Sequence, residues 1–439
     1  MEPYTYHILV TGANSGLGLG ICTRLIDDFL RTKQASDTLT LLFTTRSTRK
    51  GSDTLKILRS HVDSIALSSS NRIHLRSEIV ELTSLLSVRG LAQRLIASDV
   101  PQLDAVILNA GIGGWTGLDW PLAIGTVLVD LRRATTWPTF KLGAVGVVAK
   151  PQLPPVDGEK LDEPPLGEVF CANVFGHYML AHWLMPLLWT CPSSSPAKIV
   201  WVSSIEASAR HYNPADHQGL RSNAAYEHSK RLTDYLALTQ GQSKTRTSLS
   251  SYLHCEAVEG APKRPQISRP TIHTTQPGIL TTTIIDLYWI VHQAYLLAIF
   301  IARWLGSPWA TVNPYPAAIS AVWLALVSRS ELELKEKTGG GKAIKWGSAI
   351  DRLARSRVES TDVEGWGFNG SGKAFADTWW GGPSWWRGGH IGRPQDAKDA
   401  TLEDVEAFID EGAKVWAKME QLRQDWEQRL LAHDKLQQK

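Results

Sequence analysis

Short apolar runs alternate with helix-length stretches from the N-terminus to about residue 283. Six runs have the length of buried strands, and several are rich in β-branched residues: His7–Val10, Leu39–Thr44, Arg72–Val80, Leu103–Leu108, Lys198–Val202 and Thr271–Thr275. Most of the intervals between them can hold a crossover helix. That alternation predicts repeated βαβ units feeding one parallel sheet. The expected fold class is α/β: a doubly wound parallel sheet of Rossmann type, with insertions and a C-terminal helical extension.

Three stretches break the alternation. Residues 112–165 carry Gly, Trp and Pro clusters, and residues 240–270 are polar and read as a surface loop. Residues 338–395 hold Gly339–Gly341 and a Trp-rich segment, 376–386, whose chemistry the sequence leaves unexplained. Beyond them, Thr401–Leu436 predicts an amphipathic helix. Leu402, Val405, Phe408, Ile409, Ala413, Val415 and Trp416 form its apolar side, and Thr401 with Asp404 its N-terminal cap. The expected division is a nucleotide-binding domain over 1–330 and an extension over 331–439. Residues 284–305 are the most apolar segment, ended by Gly306 and Pro308. A helix of that length would span roughly 30 Å, about a bilayer core. Asp286, His292, Gln293 and Arg303 interrupt it, so a buried helix, a membrane-surface helix and a span all stay open.

Composition narrows the class of protein rather than its chemistry. Over 439 residues the formal net charge is only +3, which gives no reason to expect a nucleic-acid partner. Cys22, Cys171, Cys191 and Cys255 show no CxxC spacing, so unpaired thiols are expected rather than a disulfide or metal site. No basic region with a cleavage site precedes the first apolar run, and no signal peptide is expected.

The first strand candidate runs into Thr11-Gly12-Ala13-Asn14-Ser15-Gly16-Leu17-Gly18, and a helical stretch follows. Gly12 permits a tight turn, Gly16 lets the backbone approach a pyrophosphate, and Gly18 lets the helix pack close to the sheet. The helix N-terminus offers free N–H groups to phosphate. The second strand ends at Thr44-Thr45-Arg46. No acid lies between Asp37 and Asp53 to take a ribose 2′-hydroxyl, whereas Arg46 can pair with a 2′-phosphate. The expected cofactor is NADPH.

Tyr226-Glu-His-Ser-Lys230 places a phenol and an ammonium on one helix face. A neighbouring cation favours phenolate, which suits the phenol to proton transfer. Lys198–Val202 ends in Ser203 and Ser204, and Leu103–Leu108 ends in Asn109-Ala110-Gly111. In such sheets ligands bind beyond the carboxyl ends of the strands. Asn173 lies in a stretch predicted to be a helix beneath the site.

These motifs, with Pro277-Gly278, occur in the order of the short-chain dehydrogenase/reductase family, which residues 5–285 resemble. The resemblance implies that Tyr226 donates the proton, that Lys230 lowers its pKa and binds the nicotinamide ribose, and that Ser204 orients the carbonyl. It implies that Asn173 holds a relay water, that Glu81 lies near the adenine, and that Gly278 and Thr281 contact the nicotinamide amide. The spacing from Ser204 to Tyr226 is 22 residues, longer than is usual in the family, and it leaves Ser203 or Ser204 open. That spacing resembles the fungal 3-ketosteroid reductase branch. So do Gly117–Trp120, Ala225–Arg231, Leu305–Trp309 and Lys345–Ser348. The branch implies reduction of the 3-keto group of a C-4 demethylation sterol, alongside the other enzymes of that demethylation. It implies a site at the endoplasmic reticulum membrane or lipid droplets, with the catalytic domain facing the cytosol and residues 284–305 as a sterol lid. Two rivals are a reductase for another apolar ketone, such as a 17-ketosteroid or a secondary metabolite, and a cofactor-binding scaffold without turnover.

Overall fold

The computed structural model describes residues 3–65, 70–156, 161–192, 194–254, 267–280, 289–338, 342–370, 392–393 and 397–437. Thr281 and the Trp-rich stretch lie outside the described residues, as does the first part of 284–305.

The six expected strands all form. They are β1 (Thr5–Val10), β2 (Thr38–Thr45), β3 (Ile73–Ile79), β4 (Ala105–Leu108), β7 (Lys198–Val202) and β8 (Thr271–Gln276). Between β4 and β7 the insertion folds a separate two-stranded antiparallel hairpin, β5 (Trp115–Leu118) with β6 (Lys141–Gly143). Two further strands, β9 (Lys345–Ile350) and β10 (Ser356–Ser360), come from the segment expected as an extension. The main sheet runs β10-β9-β8-β7-β4-β1-β2-β3, parallel except for the β10 edge. The sheet therefore continues past residue 330 instead of stopping there.

Ile8, Leu9 and Val10 of β1 and Ala105–Leu108 of β4 are almost wholly buried, because helices cover both faces of the sheet. One face carries the helices Gly16–Thr32 and Ile319–Leu326. The other carries Leu85–Ala97, Gly176–Trp183 and Ala225–Thr239. The C-terminal helix Leu402–Gln437 packs outside Ala225–Thr239. Its cap forms as expected, with the Thr401 N–H donating to Asp404 Oδ2 at 2.8 Å. Val405, Phe408, Val415 and Trp416 are buried, and Trp416 Nε1 donates to the Leu236 carbonyl at 3.1 Å. Leu402 is instead exposed, since it lies in the first turn before the helix meets the body.

Two other expectations change. The interval 240–270 is not loop throughout: Arg246–Leu253 is a helix that buries Leu249, Tyr252 and Leu253. The apolar segment forms the helix Trp289–Trp304, and among the described residues no helix is long and apolar enough to cross a membrane.

β1 pairs with β2 on one side and β4 on the other, so the crossovers wind in opposite directions from this point. The crevice at such a switch point is where an open α/β sheet binds ligands.

Candidate active site

A cavity of about 600 Å³ opens at that crevice. The predicted residues Gly12, Asn14, Ser15, Gly16, Leu17, Gly18, Thr45, Arg46, Glu81, Asn109, Ala110, Gly111, Ser204, Tyr226, Lys230 and Gly278 all line it. Asn173 does not line it, and Thr281 lies outside the described residues.

The glycine turn is held from below. Gly12 has φ +69°, and a Cβ there would lie 2.7 Å from the Ala110 Cβ. A Cβ on Gly18 would lie 2.0 Å from the Gly12 carbonyl oxygen, so helix and turn can touch only without one. Asn109 serves the turn through its side chain: Nδ2 donates to the Thr11 carbonyl at 2.9 Å. Thr11 Oγ1 accepts from the Asn109 and Ala110 N–H groups at 2.9 and 3.0 Å and bonds His177 Nε2 at 2.9 Å. Burial pulls the His177 imidazole down to about 3, so it is neutral when it shares that bond.

The strand-end serines divide their tasks. Ser203 Oγ donates to the Lys230 carbonyl at 3.3 Å and is committed to the helix Ala225–Thr239. Ser204 Oγ accepts the Glu206 N–H at 3.1 Å and sits close enough to the Tyr226 phenol to pull its pKa down. Ser204 is therefore the serine beside the phenol. Lys230 Nζ donates to the Val202 carbonyl at 2.7 Å and sits 5.5 Å from the centre of the Tyr226 ring.

The electrostatics differ from the sequence expectation. The Tyr226 phenol is pushed up from its ordinary value, first by burial and then by the Glu206 carboxylate, while Ser204 pulls the other way. Lys230 is not among the groups that set it. Burial pulls Lys230 itself down to about 8, with Asp234 opposing that fall and Lys345 adding to it. In this state the phenol keeps its proton, which is the form a ketone reductase needs at the start of a turnover.

Asn173 lies in a π-helical turn, Cys171–Phe175, and its amide is spent on the protein. Oδ1 accepts the Ile112 N–H at 2.8 Å, and Nδ2 donates to the Ile112 carbonyl and to Ser229 Oγ, both at 3.0 Å. The side chain fixes the loop after β4 and does not face the cavity. Gly111 makes this contact possible, since a Cβ there would lie 2.8 Å from Asn173 Oδ1.

Two groups of charged residues were not anticipated. Lys345, on β9, donates to the Ser204 carbonyl at 2.7 Å and pairs with Asp234 at 2.6 Å. Asp234 repeats the spacing of Tyr226 and Lys230 along one helix, a periodicity visible in the sequence. Lys141, from the insertion, pairs with Glu206 at 2.5 Å and Glu227 at 2.8 Å. Nothing local in the sequence marks it.

No family model matches the chain. Among curated proteins it is similar to the 3-keto-steroid reductase erg27 of Aspergillus fumigatus, at 42% identity over 437 residues, covering 96% of this chain and 94% of that protein. It is 37% identical over 463 residues to the 3-keto-steroid reductase ERG27 of Gibberella zeae, with the same coverage of 96% and 94%. Among solved structures, a short-chain type dehydrogenase/reductase from Mycobacterium ulcerans is similar at 16% identity and a TM-score of 0.41, covering 74% of this chain and 85% of that one. At the identity and coverage of the two fungal proteins, the chain belongs to the fungal 3-keto-steroid reductases.

Proposed function

We propose that the protein is an NADPH-dependent reductase that converts the 3-keto group of sterol C-4 demethylation intermediates to the 3β-hydroxyl. The observation that carries this is the set of Ser204, Tyr226 and Lys230 at one end of a cavity whose other end is the Gly12–Gly18 turn.

The residues fit the cofactor. Gly16 has φ +52°, and the turn leads straight into the helix Gly16–Thr32, whose free N–H groups suit a pyrophosphate. Arg46 is exposed at the cavity rim and its guanidinium has no partner among the described residues, which leaves it available to a 2′-phosphate. When bound, NADPH supplies the hydride. Tyr226 gives its proton to the ketone oxygen as negative charge builds there, and the Ser204 hydroxyl supplies a second hydrogen bond. Lys230, held to the Val202 carbonyl, would help hold the nicotinamide ribose and lend positive charge to the reacting end.

The far wall suits an apolar substrate. Trp115, Leu118, Pro138 and Phe140 of the insertion face the same cavity as Ile279 and Tyr295. Beside it, Leu128 and Val129 of the helix Trp120–Val129 are exposed, as are Leu297, Trp304 and Leu305 in and after Trp289–Trp304. Such a surface supports work at an endoplasmic reticulum or lipid-droplet surface, where a sterol and the other demethylation enzymes would be met.

Sterol profiling of cells lacking the protein tests the substrate. 3-Keto sterols should accumulate, and an unchanged sterol profile would favour another apolar ketone. The cofactor is tested separately. Arg46→Ala removes charged hydrogen bonds worth about 1.5–3 kcal/mol, so NADPH should bind roughly 10- to 100-fold more weakly while NADH is little affected. Equal losses for both nucleotides in a fluorescence titration would refute the 2′-phosphate contact.

A further inference from the structure

The insertion between β4 and β7 does more than wall the cavity. Its hairpin reaches across to the phenol: the rings of Trp115 and Tyr226 lie 4.9 Å apart, centre to centre. Lys141, on the opposite strand of the hairpin, lies over both rings, 4.1 Å from the centre of Trp115 and 5.6 Å from that of Tyr226. Its ammonium bridges two carboxylates from different parts of the site. Glu206 follows Ser204 in the loop after β7, and Glu227 is the neighbour of Tyr226. All three side chains are nearly out of solvent, with 6% exposure for Lys141 and Glu227 and 14% for Glu206. Burial alone would pull the Lys141 ammonium down, yet the two carboxylates more than offset it and hold it above its ordinary value.

The hairpin is seated closely as well as charged. A Cβ on Gly143 would lie 2.3 Å from the Asn223 carbonyl, and the Gly146 N–H donates to the Leu220 carbonyl at 2.8 Å. Both contacts fall on the segment that leads into Tyr226.

We propose that Lys141 is a positioning residue for the proton donor: by bridging Glu206 and Glu227 it latches the β5–β6 hairpin over the reacting end of the cavity and sets Trp115 against the Tyr226 ring. The inference rests on the reductase reading above, because it concerns the aim of the Tyr226 hydroxyl at a ketone. The latch joins three segments, the insertion, the loop carrying Ser204 and the helix carrying Tyr226. It therefore fixes the two hydroxyls relative to each other and to the substrate wall. Lys141 touches no part of the nucleotide end, where the glycine turn and Arg46 lie.

The test is steady-state kinetics of the full chain with NADPH and a 3-keto sterol, each rate normalised to the number of NADPH-binding sites. Lys141→Met should lower kcat about a hundredfold, the size expected when a catalytic group is misplaced by about 1 Å. The KM for NADPH should stay within threefold. Lys141→Arg keeps a cation that can bridge both acids and should recover at least a third of the wild-type kcat. Trp115→Ala, which leaves the ion pairs in place, should lower kcat tenfold or more with the same unchanged NADPH KM. A Lys141→Met kcat within threefold of wild type, or an arginine variant as slow as the methionine one, would overturn the latch. Should the wild-type protein reduce another ketone and no 3-keto sterol, the substrate assignment falls, and the same kcat ratios on that ketone still decide the latch.

Discussion

Tyr226→Phe is expected to abolish ketone reduction, lowering kcat by about 10²- to 10⁴-fold, while NADPH binds within threefold of wild type. The variant removes one oxygen and keeps the ring, so the packing against Trp115 and the 5.5 Å approach of Lys230 survive. What it loses is the proton that meets the developing alkoxide. Ser204 cannot take over, because a serine hydroxyl is a far weaker acid than a phenol. The pH dependence separates the groups. Tyr226 is held above its ordinary value by burial and by Glu206, so for reduction it stays loaded through the neutral range and gives up its proton only at high pH. Lys230 is pulled down to about 8, chiefly by burial, so an alkaline fall in kcat/KM near pH 8 would belong to its ammonium. Stopped-flow and steady-state assays measure both effects. Activity of Tyr226→Phe within tenfold of wild type would remove Tyr226 as the acid.

The nucleotide half of this site was legible because its constraints are local. The turn from Gly12 to Gly18 must reverse the chain within a few residues and let backbone meet backbone, and only glycines at those positions allow it. The strand ends at Asn109 and Ser204 were legible for a related reason, since buried parallel strands announce themselves as apolar runs and the cleft lies where they stop. The substrate half was not legible in the same way. Lys345 meets Asp234 across 111 residues, and Lys141 meets Glu206 across 65. A buried lysine looks like a surface lysine in a sequence until its partner is known. The same holds for β9, whose apolar run is short and opens with that lysine. Asn173 shows the reverse case: a motif position whose amide the fold has committed to the loop at Ile112. Charge also misled the reading of the phenol. An ammonium four residues along a helix suggested a lowered value, but desolvation and two nearby carboxylates outweigh it here.

Lys345→Met should cost the protein about 3–5 kcal/mol of stability, the range for removing one partner of a buried ion pair. The side chains of Lys345 and Asp234 are 3% and 0% exposed, so no water replaces the lost ammonium. Thr274 Oγ1, at 3.5 Å, would be the nearest remaining donor to the Asp234 carboxylate. Lys345→Met combined with Asp234→Leu removes both charges and should recover most of the stability. It should not recover the rate, because the Ser204 carbonyl still lacks the donor that Lys345 supplies at 2.7 Å. Urea unfolding of the three variants, with kcat measured on each, separates the two roles. A single variant that unfolds at the wild-type midpoint would show the pair to be dispensable. A double variant that regains both stability and kcat would show that Lys345 does nothing for Ser204.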